Sequence, residues 1–336
     1  MDICKGEMQF NEINRNLPQL ESGEHMMDFA ASYSQNTLLM EGALGERLKR
    51  EFHLSPDEYI TLAGHIYDDE GREALKSLWQ GYMSIAKAHQ LPFIATTPTR
   101  RINRERVAAS KYSPAICKDN VSFLKSIRDV SPQEMYVGAL IGTKGNAYRA
   151  DEALTEEDAL RFHAWEIERF AAENIDFFFA AILPALSEAA GLARALAQTN
   201  IPYIISFMMR NDGCLMDGTR IHDAIAYIDD LTCRRPLCYM TNCIHPSILY
   251  QSLGYPFNQT ATVQSRFCGI QANASPLTPE ELDGSKTLHS SNPQDLAESM
   301  MSLTDFIPLK IAGGCCGTDN AYMEEIAGRI RPLVHE

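Results

Sequence analysis

A parallel (β/α)₈ barrel is the α/β fold this sequence predicts, and three observations carry it. Eight short, nearly continuous apolar runs recur through 336 residues, as strands buried on both faces do. Segments with helical periodicity separate most of them, the alternation of a parallel sheet closed by crossover helices. No G-x-G-x-x-G follows an early strand, which argues against an open, doubly wound dinucleotide-binding sheet.

The first run is "TLLME" (37–41). Residues 1–36 ahead of it read as an N-terminal extension, and residues 37–336 as the barrel domain. A helical stretch (70–90) leads to "LPFIATT" (91–97), and "EMYVGALIG" (134–142) is the third run. The helix expected over 155–174 has Thr155 and Asp158 at its start, both suited to capping free backbone N–H groups. It leads to "IDFFFAAIL" (175–183). Helical patterns over 186–200 and 219–232 precede "IPYIISFMM" (201–209) and "PLCYMTNC" (236–243). "RFCGIQAN" (266–273) is the seventh run. A helix over 292–305 precedes the eighth, "FIPLKIAGG" (306–314), and another begins at 320.

Composition narrows the function. With 30 Lys and Arg against 44 Asp and Glu, the net charge is −14. That disfavours nucleic acid and anionic membranes as partners, since both select basic surfaces. No apolar run reaches the length of a membrane span, and the polar N-terminus lacks the apolar core of a signal peptide. Nine cysteines, an odd number scattered through a long chain, suit a reducing compartment, so the expected location is the cytoplasm. Oligomeric state has no signature in the sequence.

The informative stretch is "KIAGGCCGTDN" (310–320). Cys315 and Cys316 stand just past the eighth strand, and Cys243 ends the sixth. In a parallel barrel both positions lie at the mouth where chemistry collects. Gly313, Gly314 and Gly317 would let the backbone bend so that both neighbouring thiols face one point. Three thiolates converging on one rim would make a zinc site with three protein ligands and a fourth position open, the catalytic pattern. The competing reading is that free cysteines are small buried hydrophobes. It is adopted for Cys4, Cys117, Cys214, Cys233, Cys238 and Cys268, and Cys243 alone would be read the same way.

"GGCCGT" after the last strand, with "MTNCIHP" at the end of the sixth, resembles the homocysteine S-methyltransferase family. "LLMEGALGERL" (38–48), "IATTPT", "VGALIGTKGNAY", "ISFMMRNDGCLMDGT" (205–219) and "GIQANAS" extend the resemblance over most of 37–331. The resemblance implies Zn²⁺ held by Cys243, Cys315 and Cys316. The acceptor thiol would be homocysteine, made nucleophilic on the metal and methylated to methionine. The donor would be an S-methylmethionine-like sulfonium, with betaine next. Glu41 takes the place of the family's Asp, a holder of the substrate's amino group. Thr97 and Asn242 are further candidate substrate contacts. His245 reads as a hydrogen-bonding neighbour of the site rather than a fourth ligand. Asp217 reads as a turn holder or a cap for the helix beginning near Thr219.

The pattern breaks at the fourth strand. Aligned on Pro184, the Glu with which the family binds the substrate ammonium falls on Ala181, beside Ile182. Glu46 stands where the family has Thr. Two alternatives follow: a zinc thiol methyltransferase with a different acceptor, lacking an α-amino group, or a zinc-retaining barrel that only binds. The intact cysteine motifs argue against the second.

Overall fold

The computed structural model of the chain describes residues 28–277 and 290–330; Cys4 and most of the extension lie outside them. Eight strands close into a barrel in sequential order, β1 to β8, with every neighbouring pair parallel. They are β1 Leu38–Met40, β2 Phe93–Thr96, β3 Met135–Ile141, β4 Phe177–Leu183, β5 Tyr203–Phe207, β6 Cys238–Ile244, β7 Phe267–Ala272 and β8 Ile311–Gly314. Each of the eight apolar runs coincides with one strand, β6 extending one residue past its run to Ile244. The eighth starts later than its run, because Ser302–Asp305 is a 3₁₀ turn and β8 pairs with β1 only from Ile311 onward.

The expected helices form as Asp69–Ala88, Glu156–Ala171, Leu186–Leu196, Ile221–Leu231, Pro293–Met301 and Asn320–Arg329. Thr155 caps the second of these through the amide of Asp158. Helices Ile116–Arg128, Pro246–Leu253 and Ala261–Arg266 fill connections in which the sequence had singled out no helix. Among the described residues, no helix is long and apolar enough to cross a membrane.

A short helix, Phe29–Gln35, packs under the barrel with Phe29 only 3% exposed. Its ring stacks on Phe177, centroids 4.3 Å apart. Phe177 fits because its register partner is Gly138, where a Cβ would lie 2.4 Å from the ring. The N-terminal end is thus sealed by aromatic packing, and the opposite end is left for chemistry.

The loop after β3 is braced by a buried charged cluster. Glu188 accepts hydrogen bonds from Thr143 Oγ1 (2.7 Å), Lys144 N (2.7 Å) and Leu154 N (3.2 Å). His163 bridges Glu188 and Glu166, one ring nitrogen to each. Burial alone would hold the imidazole pKa down, but the two carboxylates outweigh it and push it up to about 9. An imidazolium donating to both is the form that fits.

His163→Leu would leave two buried carboxyls without their partner. The expected loss is about 3–5 kcal/mol by chemical denaturation. The histidine's contribution is complete below its ordinary value of 6.5 and fades as pH rises through about 9. Wild-type stability should therefore fall over that interval more steeply than that of His163→Leu.

Candidate functional site

β6 delivers Asn242 and Cys243 to the open mouth. Cys243 has φ +62°, and the β6–β7 register shifts between Asn242 and Ile244. A left-handed residue with a side chain costs about 1–2 kcal/mol. Here it marks a bulge that re-aims a side chain at a barrel rim. The sulfur of Cys243 meets that of Cys315, their Cα atoms 5.6 Å apart across 72 residues of sequence. Cys316 Sγ is 4.0 Å from Cys315 Sγ. All three sulfurs lie within 4.8 Å of one another. Cys243 is 4% exposed, whereas Cys316 is open to solvent.

This donor set fits a thiophilic metal. Sulfurs around tetrahedral Zn²⁺ at about 2.3 Å stand about 3.8 Å apart, close to the Cys315–Cys316 spacing. Metal uptake needs thiolates, so Cys243 and Cys315 must be present reduced and parted.

The glycines act differently from the sequence reading. Only Gly317 has a positive φ, +80°. Gly313 and Gly314 are ordinary strand residues of β8, needed for close approach. A Cβ on Gly313 would lie 2.7 Å from Met40 Cβ, and one on Gly314 would lie 2.2 Å from Thr318 Oγ1. Thr318 Oγ1 donates to Cys315 O (2.7 Å) and accepts from Ala43 N (3.2 Å), tying the cysteine turn to the loop after β1. Glu46 accepts from Gly317 N at 2.5 Å. The carboxylate that replaces the family's Thr thus holds the same turn.

Glu41 follows β1 and is 3% exposed. Its Oε1 accepts from Thr96 N (2.9 Å) and Thr96 Oγ1 (2.6 Å), and its Oε2 accepts from Trp79 Nε1. Burial pushes its pKa up to about 7, against the pull of those three bonds. Oε2 retains the capacity for one further donor.

Thr97 is fully buried. Its hydroxyl accepts from Leu140 N (3.2 Å) and lies 2.7 Å from Thr99 Oγ1, whose own proton goes to Leu140 O. That arrangement commits the Thr97 proton to Thr99, joining β2 to β3. Asn242 is held by Ser206 Oγ at its Oδ1 (2.7 Å), and its NH₂ makes no hydrogen bond among the described residues. His245 caps helix Pro246–Leu253. Its Nδ1 accepts from Ser247 N (3.2 Å) and its Nε2 is 3.2 Å from Ser291 Oγ. Both nitrogens are thus engaged, as expected of a hydrogen-bonding neighbour. Burial lowers its pKa to about 4. Asp217 accepts from Thr219 N (2.9 Å), the expected turn, and from Leu186 N (2.7 Å), so the helix it caps is Leu186–Leu196.

Ala181 and Ile182 lie near the C-terminal end of β4 and are buried, at 0% and 6% exposure, so an apolar surface stands at the aligned position of the family's ammonium-binding Glu. Arg100, half-buried in the loop after β2, lies within electrostatic reach of Cys316. Sequence reasoning passed over it, although "TRR" (99–101) in the loop after a strand end was a legible signal.

Trp79→Phe would strand Glu41 Oε2. The expected cost is about 1–3 kcal/mol. Glu41 already has a raised pKa, so its contribution to stability is present below 4.5 and is lost as pH rises through about 7. Loss of the indole donor weakens the ionised form most. Urea denaturation should therefore show a larger deficit for the variant at pH 8 than at pH 5.

The family model described as homocysteine S-methyltransferase matches residues 38–330. Homocysteine S-methyltransferase YbgG of Bacillus subtilis (strain 168) is 23% identical over 207 residues, 56% of this chain. The chain spans 58% of the length of that curated relative. The homocysteine methyltransferase MmuM of Escherichia coli, solved in a metallated form, superposes with a TM-score of 0.68 at 19% identity, over 88% of this chain and 96% of that one. Its oxidised form gives 0.67 at 18% identity, over 87% and 96%. The likeness of these solved structures lies in the fold. With the family model matched over nearly the whole barrel, the chain belongs to the homocysteine S-methyltransferase family.

Proposed function

We propose that the chain is a zinc-dependent S-methyltransferase that moves a methyl group from a cationic donor to a thiol, homocysteine in the first instance. The convergence of Cys243, Cys315 and Cys316 at the barrel mouth carries this reading. Family membership and the existence of a metallated form of the Escherichia coli relative support it. A reducing compartment such as the cytoplasm belongs to the same reading, since the cysteine pair must be reduced.

When bound, Zn²⁺ supplies a Lewis acid that lowers the pKa of an acceptor thiol from about 8.5 and holds it as thiolate. The chain's residues do the rest. Cys243, Cys315 and Cys316 would hold the metal as thiolates, and their charge would make the site net negative, which would attract a positively charged methyl donor. An S-methylmethionine-like sulfonium is the preferred donor and betaine the next. The acceptor sulfur forms a bond to the methyl carbon as the donor's bond to it breaks. The donor leaves neutral at the charge-bearing atom, and the thiol proton goes to solvent. Positioning supplies most of the acceleration. Asn242, fixed by Ser206 and with its NH₂ unspent, is a substrate contact in this scheme. Glu41 offers its remaining Oε2 acceptor to an ammonium. Thr97 acts through Thr99 in shaping the wall.

A second reading, in which the acceptor is a different thiol, is favoured by Ala181 and Ile182. An ammonium seated against that apolar surface would lose the carboxylate partner the family provides, a cost of a few kcal/mol when buried.

Metal analysis of reduced protein should give one zinc per chain, and protein kept oxidised should take up none. Cys243→Ala and Cys316→Ala should each lower zinc affinity by at least about tenfold and abolish methyl transfer. Full zinc retention by both variants would remove the basis of the proposal.

A further inference from the structure

At the same barrel mouth as the cysteines, the loops after β2 and β3 border an open pocket of about 790 Å³ lined by Arg100, Arg101, Arg106, Lys144, Tyr148 and Glu152. It is strongly basic in a chain whose net charge is −14. Arg101 Nη1 donates to Gly145 O (2.7 Å), and Arg106 Nη1 donates to Tyr59 O (2.9 Å). Neither of these guanidinium groups, nor that of Arg100, pairs with a carboxylate among the described residues, and Arg100 makes no side-chain hydrogen bond there. The nearby acids are engaged elsewhere. Glu105 pairs with Lys144 (3.3 Å), and Glu152 accepts from Asn146 N (2.8 Å) and faces Arg149 (3.6 Å).

Grouping three half-buried arginines costs free energy. Burial, then repulsion from Arg106 and Arg100, brings the pKa of Arg101 down to about 10. Burial also lowers that of Arg100. Such a cluster is stabilised by an anion, and planar guanidinium donors match a carboxylate or sulfonate in two-pronged fashion. Arg100 links the cavity to the centre, because it lies within electrostatic reach of Cys316. The same mouth places apolar Ala181 and Ile182 at the family's ammonium-binding position.

We propose that this cavity holds the anionic end, a carboxylate or sulfonate, of the thiol seated at the cysteine centre, and that the site makes no demand for an α-ammonium group. This rests on the thiol methyltransferase reading and specifies its acceptor as an acidic thiol. Arg100 binds the acid group nearest the sulfur, while Arg101 and Arg106 set the positive field behind it.

Calorimetry on reduced, zinc-loaded protein tests it with three thiols: 4-mercaptobutanoate, which is homocysteine without its amino group, 4-mercaptobutanol, and L-homocysteine. The acid should bind about tenfold or more tighter than the alcohol and at least as tightly as homocysteine. Arg100→Gln should reduce the acid to the alcohol's affinity and leave the alcohol unchanged, and Arg100→Lys should restore part of the preference. Equal binding of acid and alcohol, a preference that survives Arg100→Gln, or homocysteine binding tenfold tighter than the acid would each overturn it. Zinc-free protein titrated with 4-(methylthio)butanoate separates the two readings. Arg100-dependent binding there supports the anion cavity even if zinc-loaded protein captures no thiol, an outcome that would count against the metal centre alone. No binding of this probe overturns the cavity whatever the metal does.

Discussion

The seam where β8 closes on β1 governs the site. A parallel barrel gathers strand ends at one mouth, but only a seam this tight brings the β8 cysteines against both β6 and the loop after β1. Gly313 and Gly314 permit it, since a Cβ on either would strike Met40 or Thr318. Hydrogen bonds then fix the turn. Gly314 N donates to Glu41 O (3.1 Å), Cys315 N to Ala272 O (2.7 Å), and Thr318 ties Cys315 to Ala43. One backbone arrangement therefore places Glu41, Cys315 and Cys316 together, and the left-handed turn at Cys243 completes the set from β6, two strands away.

Charge is distributed around that seam with a division of labour. On the proposed function the three cysteines would form a negative centre suited to a cationic donor, and the arginine cavity at the same mouth would supply the opposite sign. Both are built on braced loops. His163, Glu166 and Glu188 hold the Thr143 hydroxyl and the Lys144 backbone from behind, so the cavity wall rests on a buried ionic cluster rather than on a free loop. Such clusters contribute little net stability but are costly to break, which suits them to holding a loop in a single arrangement.

Much of this was legible in the residues. Strands buried on both faces gave continuous apolar runs, so every strand was found. The helix at Glu156–Ala171 announced itself through Thr155. The cysteines stood out because glycines surround them at a strand end. Other features were hidden for physical reasons. Helices such as Pro246–Leu253 are too short to show a clear period. The role of Gly313 and Gly314 depends on what faces them across the seam, which spacing along the chain does not reveal. Glu41 was visible as a carboxylate at a strand end, but its engagement by Trp79 and Thr96 arises only from tertiary packing. The arginine cavity joins two loops more than forty residues apart, and its meaning comes from guanidinium groups that form no ion pair among the described residues, a property of the fold rather than of the string.

X-ray absorption at the zinc edge, before and after an acceptor thiol is added to reduced protein, tests the central claim most directly. The account expects three sulfur ligands and one light-atom ligand in the resting protein, with a fourth sulfur appearing when the thiol binds. An unchanged first coordination sphere, or a resting site with fewer than three sulfurs, would contradict it.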